Sequence, residues 1–524
     1  MRFEYKTTGT CAKVISFDVE KGNVIRNISF YGGCNGNLKA LSKACEGKTA
    51  EEIKELFSGI TCGMKQTSCS DQLSKAMQAV IDGELDGKEN DEGTSSAETP
   101  AFSRADILIP AFSSDPEKMS KWSVVACDQY TSQPEYWDEV KNITELYPST
   151  LQLIFPEIYL EEPDSEERIV NIHKKMREYL TKEVFAEYRN AFILTVRTFA
   201  DGTVRPGLIG NIDLEKYDYT PGSQTPIRAT EKTVVERIPP RLKVRKNAPI
   251  ELPHVLVLID DDKKNVIEPL CLELDSMKKL YDFELMMDGG RVAGYLLDRD
   301  RKENVINALK GLYDRKRFED KYLASADMGT LVFAVGDGNH SLATAKASYE
   351  KIKASLPKDA ALAHPARYAL VELENVHCDA LELEAIHRVI FGGNIPVILD
   401  KLTSALSLTE ENNGGQHFTA VTKGGEKTYY VGKPLSNLSV GSLQAVLDEY
   451  LGEDKDASID YIHGEDVVRK LASEKDDTIG FILPAMGKDE LFKTVIHDGV
   501  LPRKTFSMGH PEEKRFYLEA RKIR

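Results

Sequence analysis

The chain has 524 residues and a formal net charge of −16, room for about three or four domains at roughly 100–200 residues each. Charged residues make up 29% of it, no apolar run approaches the ~18 residues of a membrane helix, and no basic block offsets the acidity, which argues against nucleic acid and membrane as partners. The start, Met1-Arg-Phe-Glu-Tyr-Lys6, lacks the apolar core of a signal peptide, so the scattered cysteines are expected to be reduced in a soluble cytoplasmic protein.

Five of the eight cysteines, Cys11, Cys34, Cys45, Cys62 and Cys69, precede residue 70. Around them Val14–Val19 and Val24–Phe30 alternate apolar and polar residues, and Gly22-Asn23 between them predicts a tight hairpin turn. Gly32-Gly-Cys-Asn-Gly-Asn37 reads as a loop ahead of a helix from Leu38. Thr49 and Glu52 form a capping box for a second helix carrying Ile53, Leu56 and Phe57. Leu73, Ala76, Met77, Val80 and Ile81 fall at helical spacing behind Thr67-Ser-Cys-Ser-Asp71. A polar, acidic stretch over 84–104 predicts a flexible linker between this module (1–83) and everything after it.

Cys11, Cys34, Cys62 and Cys69 are the candidate metal ligands, because four converging thiolates suit tetrahedral zinc. The spacing contains no close Cys-x-x-Cys pair, so reduced packed thiols or redox thiols fit the pattern as well. Gly32-Gly-Cys-Asn-Gly-Asn37, Gly59-Ile-Thr-Cys-Gly63 and Thr67-Ser-Cys-Ser-Asp-Gln-Leu73 resemble the TSCPD domain family. That family occurs as small proteins and as the C-terminal part of cobalamin-dependent ribonucleotide reductases. The resemblance implies a zinc role for those four cysteines, with Cys45 extra, and departs from the family where Asn35 and Ser70 replace proline. It also implies a ribonucleotide-reductase-related reading, although the large reductase barrel is missing.

From residue 105 the chain mixes strands and helices, a mixed α/β or α+β class, expected as two parts, 105–328 and 329–524. Ala105–Pro110 and His254–Asp260 read as buried strands. Ala191–Val196 and Thr203–Ile209 form a hairpin around Asp201-Gly202. A helix is expected over Glu166–Arg189, and others near 342–354, 394–407, 440–452 and 464–474.

The richest segment is Leu331-Val-Phe-Ala-Val-Gly-Asp-Gly-Asn-His-Ser-Leu342. An apolar strand runs through two glycines straight into a helix, and such a junction presents backbone N–H groups at a positive helix end, suited to phosphate. Gly336, Gly338, Asn339 and Ser341 are the expected phosphate contacts. Asp337 is a candidate magnesium ligand and His340 a candidate proton carrier. The same pattern also fits an ordinary strand–turn–helix junction capped by Asp337 or Ser341. Further polar clusters lie at Trp122–Ser132, Arg228–Thr233, Glu384–Arg388 and Leu501–Thr505.

Val125-Ala-Cys-Asp-Gln-Tyr-Thr-Ser132, Arg228–Thr233, Asp337-Gly-Asn-His340, Ile386-His-Arg388 and Leu501-Pro-Arg-Lys504 resemble the family called domain of unknown function 1015. Much of that family reads Asp-Gly-His-His-Arg at the central loop, similar to the nucleotide-handling loop of the ParB and sulfiredoxin superfamily, which includes free serine kinases. Ser341 stands where the arginine would be, so Arg228, Arg388 or Lys504 is expected to supply the phosphate-binding cation. The resemblance implies phosphoryl transfer with magnesium and ATP or ADP on a small hydroxylated metabolite such as serine or phosphoserine. Asp337, His340, Glu231 and His387 are the catalytic candidates. A non-catalytic nucleotide-binding regulator with a zinc- or redox-sensing module is the alternative.

Overall fold

The computed structural model describes every residue except Met1, Lys21, Met64, Glu84, Asp86, residues 89–99 and residues 234–237. Most of the expected linker therefore lies outside the described residues. Its last part does not: Phe102–Ser103 pairs with Val204–Asp213, and Phe102 is buried in parallel contact with Phe192. The N-terminal boundary of the large region accordingly moves to residue 101. Burying one such phenylalanine contributes about 1.5–3 kcal/mol, which overrides the polar character of the preceding stretch.

The N-terminal module is a four-stranded antiparallel sheet in the order Val24–Gly32, Ala12–Glu20, Arg2–Lys6, Gly87–Lys88. The hairpin turns where expected, with Gly22 and Asn23 both at positive φ. Alternate residues Ile15, Phe17 and Val19 pack on Ile53, Leu73, Met77 and Val80 of the helices Ala50–Phe57 and Cys69–Ile81. The capping box forms: Glu52 N–H donates to Thr49 Oγ1 at 3.3 Å and Thr49 N–H to Glu52 Oε2 at 2.8 Å. Past the last helix, the carbonyl of Gly83 accepts a hydrogen bond from buried Lys302 of the large region, whose ammonium also donates to Asn190 O at 3.1 Å.

The large region is built on a mixed ten-stranded sheet. Its main path runs 217–218, 227–229, 333–337, 256–259, 368–375, 204–213, 193–198, 291–296 and 278–284, with 102–103 added beside 204–213. Neighbouring residues feed separate cores on its two faces, Ile193 and Ile209 on one and Leu194 and Leu208 on the other, as strand alternation requires. A second sheet orders 425–430, 417–422, 479–482, 383–391 and 458–463, with 506–508 beside 383–391. The expected division at 329 thus cuts through the first sheet, whose strands extend to Asn375. The expected helix over 166–189 also ends early, at Thr181, because Phe185–Ala191 pairs with Ala105–Pro110. The other four expected helices are present as Asn339–Ser355, Ile395–Leu406, Ser439–Glu453 and Glu465–Glu474. Among the described residues no helix is long and apolar enough to cross a membrane.

The segment after Gly499 adds a strand to the second sheet and closes a separate two-stranded sheet. Met508 pairs with Leu383 of the second sheet, whereas Ile250–Glu251 of the first body pairs with Arg521–Lys522. Buried arginines fix this strap. Arg197 donates to the carbonyls of Gly289, Glu512, Glu513 and Lys514, and Arg515 to the carboxylates of Glu372 and Glu519. Arg205 Nε lies 3.0 Å from Oε1 of Glu374, an ion pair whose geometry falls short of a hydrogen bond.

Candidate functional site

The strand Phe333–Asp337 runs between Ile227–Ala229, parallel, and Leu256–Ile259, antiparallel. It ends at Gly338, whose φ of 76° is the left-handed conformation that glycine adopts without penalty. The helix Asn339–Ser355 starts immediately, and its N-cap residue, Gly338, has no side chain to cap it. Asp337 is not the cap but turns back, its Oδ1 accepting Gly338 N–H at 2.8 Å. Gly336 serves packing: a β-carbon there would lie 2.6 Å from Met508 Sδ.

Charged groups cluster around this helix end. Asp337 Oδ2 lies 3.2 Å from Lys514 Nζ, which also donates to Ser507 Oγ at 3.2 Å. Glu231 Oε1 accepts the backbone N–H of Lys504 at 3.2 Å. Burial raises the Glu231 carboxyl above the usual range, with the Asp337 charge adding to the effect against the pull of Lys504 and Lys514. Lys504 itself is exposed and holds a positive φ of 56°. Burial alone would also raise Asp128, but His254, Gln129 and Lys514 together hold it below the usual carboxylate range.

On the other side of the first helical turn, Ser341 Oγ is 3.0 Å from His254 Nε2. His254 Nδ1 is in turn 2.7 Å from the Tyr517 hydroxyl, and that oxygen accepts Cys127 N–H at 3.3 Å. Ser341, His254, Tyr517 and Cys127 line a cavity of about 170 Å³, walled largely by apolar side chains that include Phe155, Met176 and Leu252. An Arg241–Glu157 ion pair also lies on this wall.

Several expected contacts are placed elsewhere. Arg228 donates to Thr225 O and Gly329 O. Arg388 donates to Gln444 Oε1 and to the carbonyls of Ile386 and Arg503. Both side chains are fully buried, which lowers each guanidinium to about 10. They hold the backbone together, so neither is positioned as the open phosphate cation anticipated from the sequence. Asn339 is spent likewise, accepting from Thr230 N–H at 3.3 Å and donating to Val335 O at 3.4 Å. His387 sits in the second sheet, where Nδ1 accepts Leu483 N–H at 3.2 Å and burial holds the imidazole below its ordinary range. His340 stays at the helix end, partly exposed.

Lys514, His254 and Tyr517 were not singled out from the sequence. Lys514 belongs to the charged run Glu512-Glu-Lys-Arg515, which looks like solvated surface, and only its burial against Asp337 distinguishes it. His254 offered one faint signal, a histidine opening an otherwise apolar strand.

At the cysteine end, Lys65 Nζ donates to Cys11 Sγ at 3.2 Å. Cys11, and more weakly Cys62 and Cys69, raise the Lys65 ammonium, so three thiols share one cation. Cys34 occupies the N-cap position of the helix Asn35–Cys45. Cys45 is different: it is fully buried in the module's core and its thiol is pushed up to about 11. Among the described residues no three His, Cys, Asp or Glu side chains are grouped to hold a metal ion. The donors suit zinc by chemistry, but Lys65 lies among them and a metal would have to displace it.

Comparison with known proteins matches residues 3–81 to the TSCPD domain. No protein of curated function matches the chain. Solved structures similar to it include a conserved hypothetical protein from Pyrococcus furiosus, at 13% identity over 59% of this chain and 90% of that one, TM-score 0.29. A free serine kinase in complex with AMP aligns at 13% identity over 60% and 91%, TM-score 0.32. SbnI from Staphylococcus aureus, truncated at its C-terminus, aligns at 11% identity over 57% and 82%, TM-score 0.29. TM-scores this low establish neither a common architecture nor a common ligand. The family model for proteins of unknown function DUF1015 spans residues 109–450, well over half of the sequence, and the chain belongs to that family.

Proposed function

We propose that the chain transfers a phosphoryl group between a nucleotide and a small hydroxylated metabolite, with serine or phosphoserine the class its family resemblance implies. The observation that carries this reading is a convergence at one helix end. The helix N-terminus after Gly338, the Asp337–Lys514 pair and a cavity bordered by Ser341 all meet there. A helix end attracts phosphate oxygens through its free N–H groups and its dipole. Lys514 adds the cation that Arg228 and Arg388 do not provide. Asp337 is the residue that would hold a nucleotide-bound magnesium, which would supply charge neutralisation at the phosphates. Glu231, raised by burial and close to Asp337, suits a base that takes the acceptor's proton.

A thermal-shift screen against nucleotides and phosphorylated metabolites tests the binding half, since a ligand at a hundred times its dissociation constant adds about 2.7 kcal/mol. Product formation by the responding pair tests the other half. A chain that responds to no nucleotide rules the reading out. The alternative, a non-catalytic regulator, draws support from one contact, the Lys302–Gly83 hydrogen bond that ties the cysteine module to the large region. It predicts nucleotide binding without turnover and an affinity that changes on chelation or oxidation of the thiols.

A further inference from the structure

Ser341 separates two parts of the site. Two residues before it on the chain lies the start of the helix, and its own side chain borders the cavity. Its hydroxyl meets a histidine that is itself held on its far nitrogen, the arrangement by which a weak hydroxyl nucleophile is activated. Tyr517 can orient His254 as a base. The tyrosine oxygen accepts Cys127 N–H and has a second lone pair that can accept His254 Nδ1–H across 2.7 Å. Nε2 then faces Ser341 as an acceptor. A phosphorylated serine in the first turn of a helix is favoured by the positive helix end.

We propose that Ser341 takes the phosphoryl group as a covalent intermediate, with His254 as its base, and then passes it to a small alcohol held in the cavity. This rests on the phosphoryl-transfer reading and deepens it. In the first half-reaction, Ser341 Oγ bonds to the terminal phosphorus, the bond to the bridging oxygen breaks, the nucleoside diphosphate leaves, and the serine proton moves to His254 Nε2. In the second, the acceptor's hydroxyl oxygen bonds to phosphorus, its proton goes to solvent, since Glu231 does not border the cavity, and Ser341 Oγ leaves and regains the proton from His254. The cavity selects the acceptor. At about 170 Å³ it exceeds the roughly 150 Å³ that accommodates benzene, so the acceptor is a molecule of about six heavy atoms with its hydroxyl directed at Ser341.

The test incubates the full chain with magnesium and ATP labelled in the γ-phosphate, without acceptor, and maps the label by peptide mass. The expected result is one phosphoryl group on Ser341, none in Ser341→Ala, and labelling slowed by roughly 10²–10⁴ in His254→Gln. Thermal unfolding without ligand checks that both variants are folded. Binding and turnover with Ser341 never labelled, or full turnover by Ser341→Ala, overturns the intermediate and leaves the phosphoryl-transfer reading standing. Absence of nucleotide binding by the wild-type chain overturns both. A fluorophosphonate probe gives a nucleotide-independent check: it should modify Ser341 and fail on His254→Gln, and an unreactive Ser341 in the folded chain contradicts the base assignment.

Discussion

Replacing Arg205 by alanine is the sharpest test of how the central sheet supports the site. Glu374 has 0% of its surface exposed, its carboxyl is raised by burial, and Arg205 and Arg197 pull against that rise. Removing Arg205 strands a buried charge, at a cost of about 3–5 kcal/mol. For a cooperative unit of ~250 residues that lowers the unfolding midpoint by roughly 10 °C. The effect must depend on pH with a definite sign. A carboxyl whose folded pKa exceeds its unfolded value of about 4.3 favours the folded state fully below that value and progressively less as pH rises through the folded pKa. Loss of Arg205 raises the folded pKa further, so Arg205→Ala should lose more stability near about pH 8 than near about pH 5. The double variant Arg205→Met with Glu374→Leu should recover most of the loss. It should not recover all, because Arg205 also donates to Glu513 O at 3.1 Å, worth about 1 kcal/mol net. Thermal unfolding of the wild type and the two variants at the two pH values decides. An equal loss at both, or a double variant as weak as the single, would refute the buried-charge argument.

Gly338→Ala should cost about 1–2 kcal/mol for the left-handed backbone, and more because its β-carbon would lie 3.0 Å from Val255; nucleotide-induced thermal shift should vanish, and an unchanged shift would count against phosphate on this helix end. If the cysteine end binds zinc, elemental analysis should find about one zinc with sulfur near ~2.3 Å, and Cys45→Ser should keep it, because Cys45 is buried away from the others; metal-free protein with the module folded refutes the site. Lys302→Met should leave the carbonyls of Gly83 and Asn190 without their donor, at about 1–3 kcal/mol each, and should raise hydrogen exchange in the helices Cys69–Ile81 and Arg299–Gly311. Protection unchanged in both would mean that the contact does not couple the two units.

What could be read from the sequence was whatever a few neighbouring residues decide. The Gly22-Asn23 turn and the Thr49–Glu52 box are local geometry, and both form. Gly336-Asp-Gly338 correctly marked a strand running into a helix, because positive φ at Gly338 needs no distant partner. The surroundings of that junction were hidden. Lys514 and Tyr517 reach it from the end of the chain, and no local pattern reports such a return. Arg228 and Arg388 misled for a related reason: an arginine that binds two or three backbone and side-chain oxygens inside a protein is written with the same letter as one that meets phosphate. Phe102 was lost in a polar stretch because a single apolar residue carries no periodicity.

The strap formed by residues 501–522 has a bearing on how the protein comes to be active at all. During synthesis the glycine loop leaves the ribosome long before Lys514 and Tyr517, so the nascent protein holds a helix end with neither its cation nor the group that orients His254. Met508 also closes over Gly336 only when this last stretch arrives. Both sheets can be largely folded by then, and the binding site is still incomplete. If the helix end binds nucleotide as proposed, competence arrives in one late step, and an emerging chain has little means of capturing nucleotide before its body is assembled.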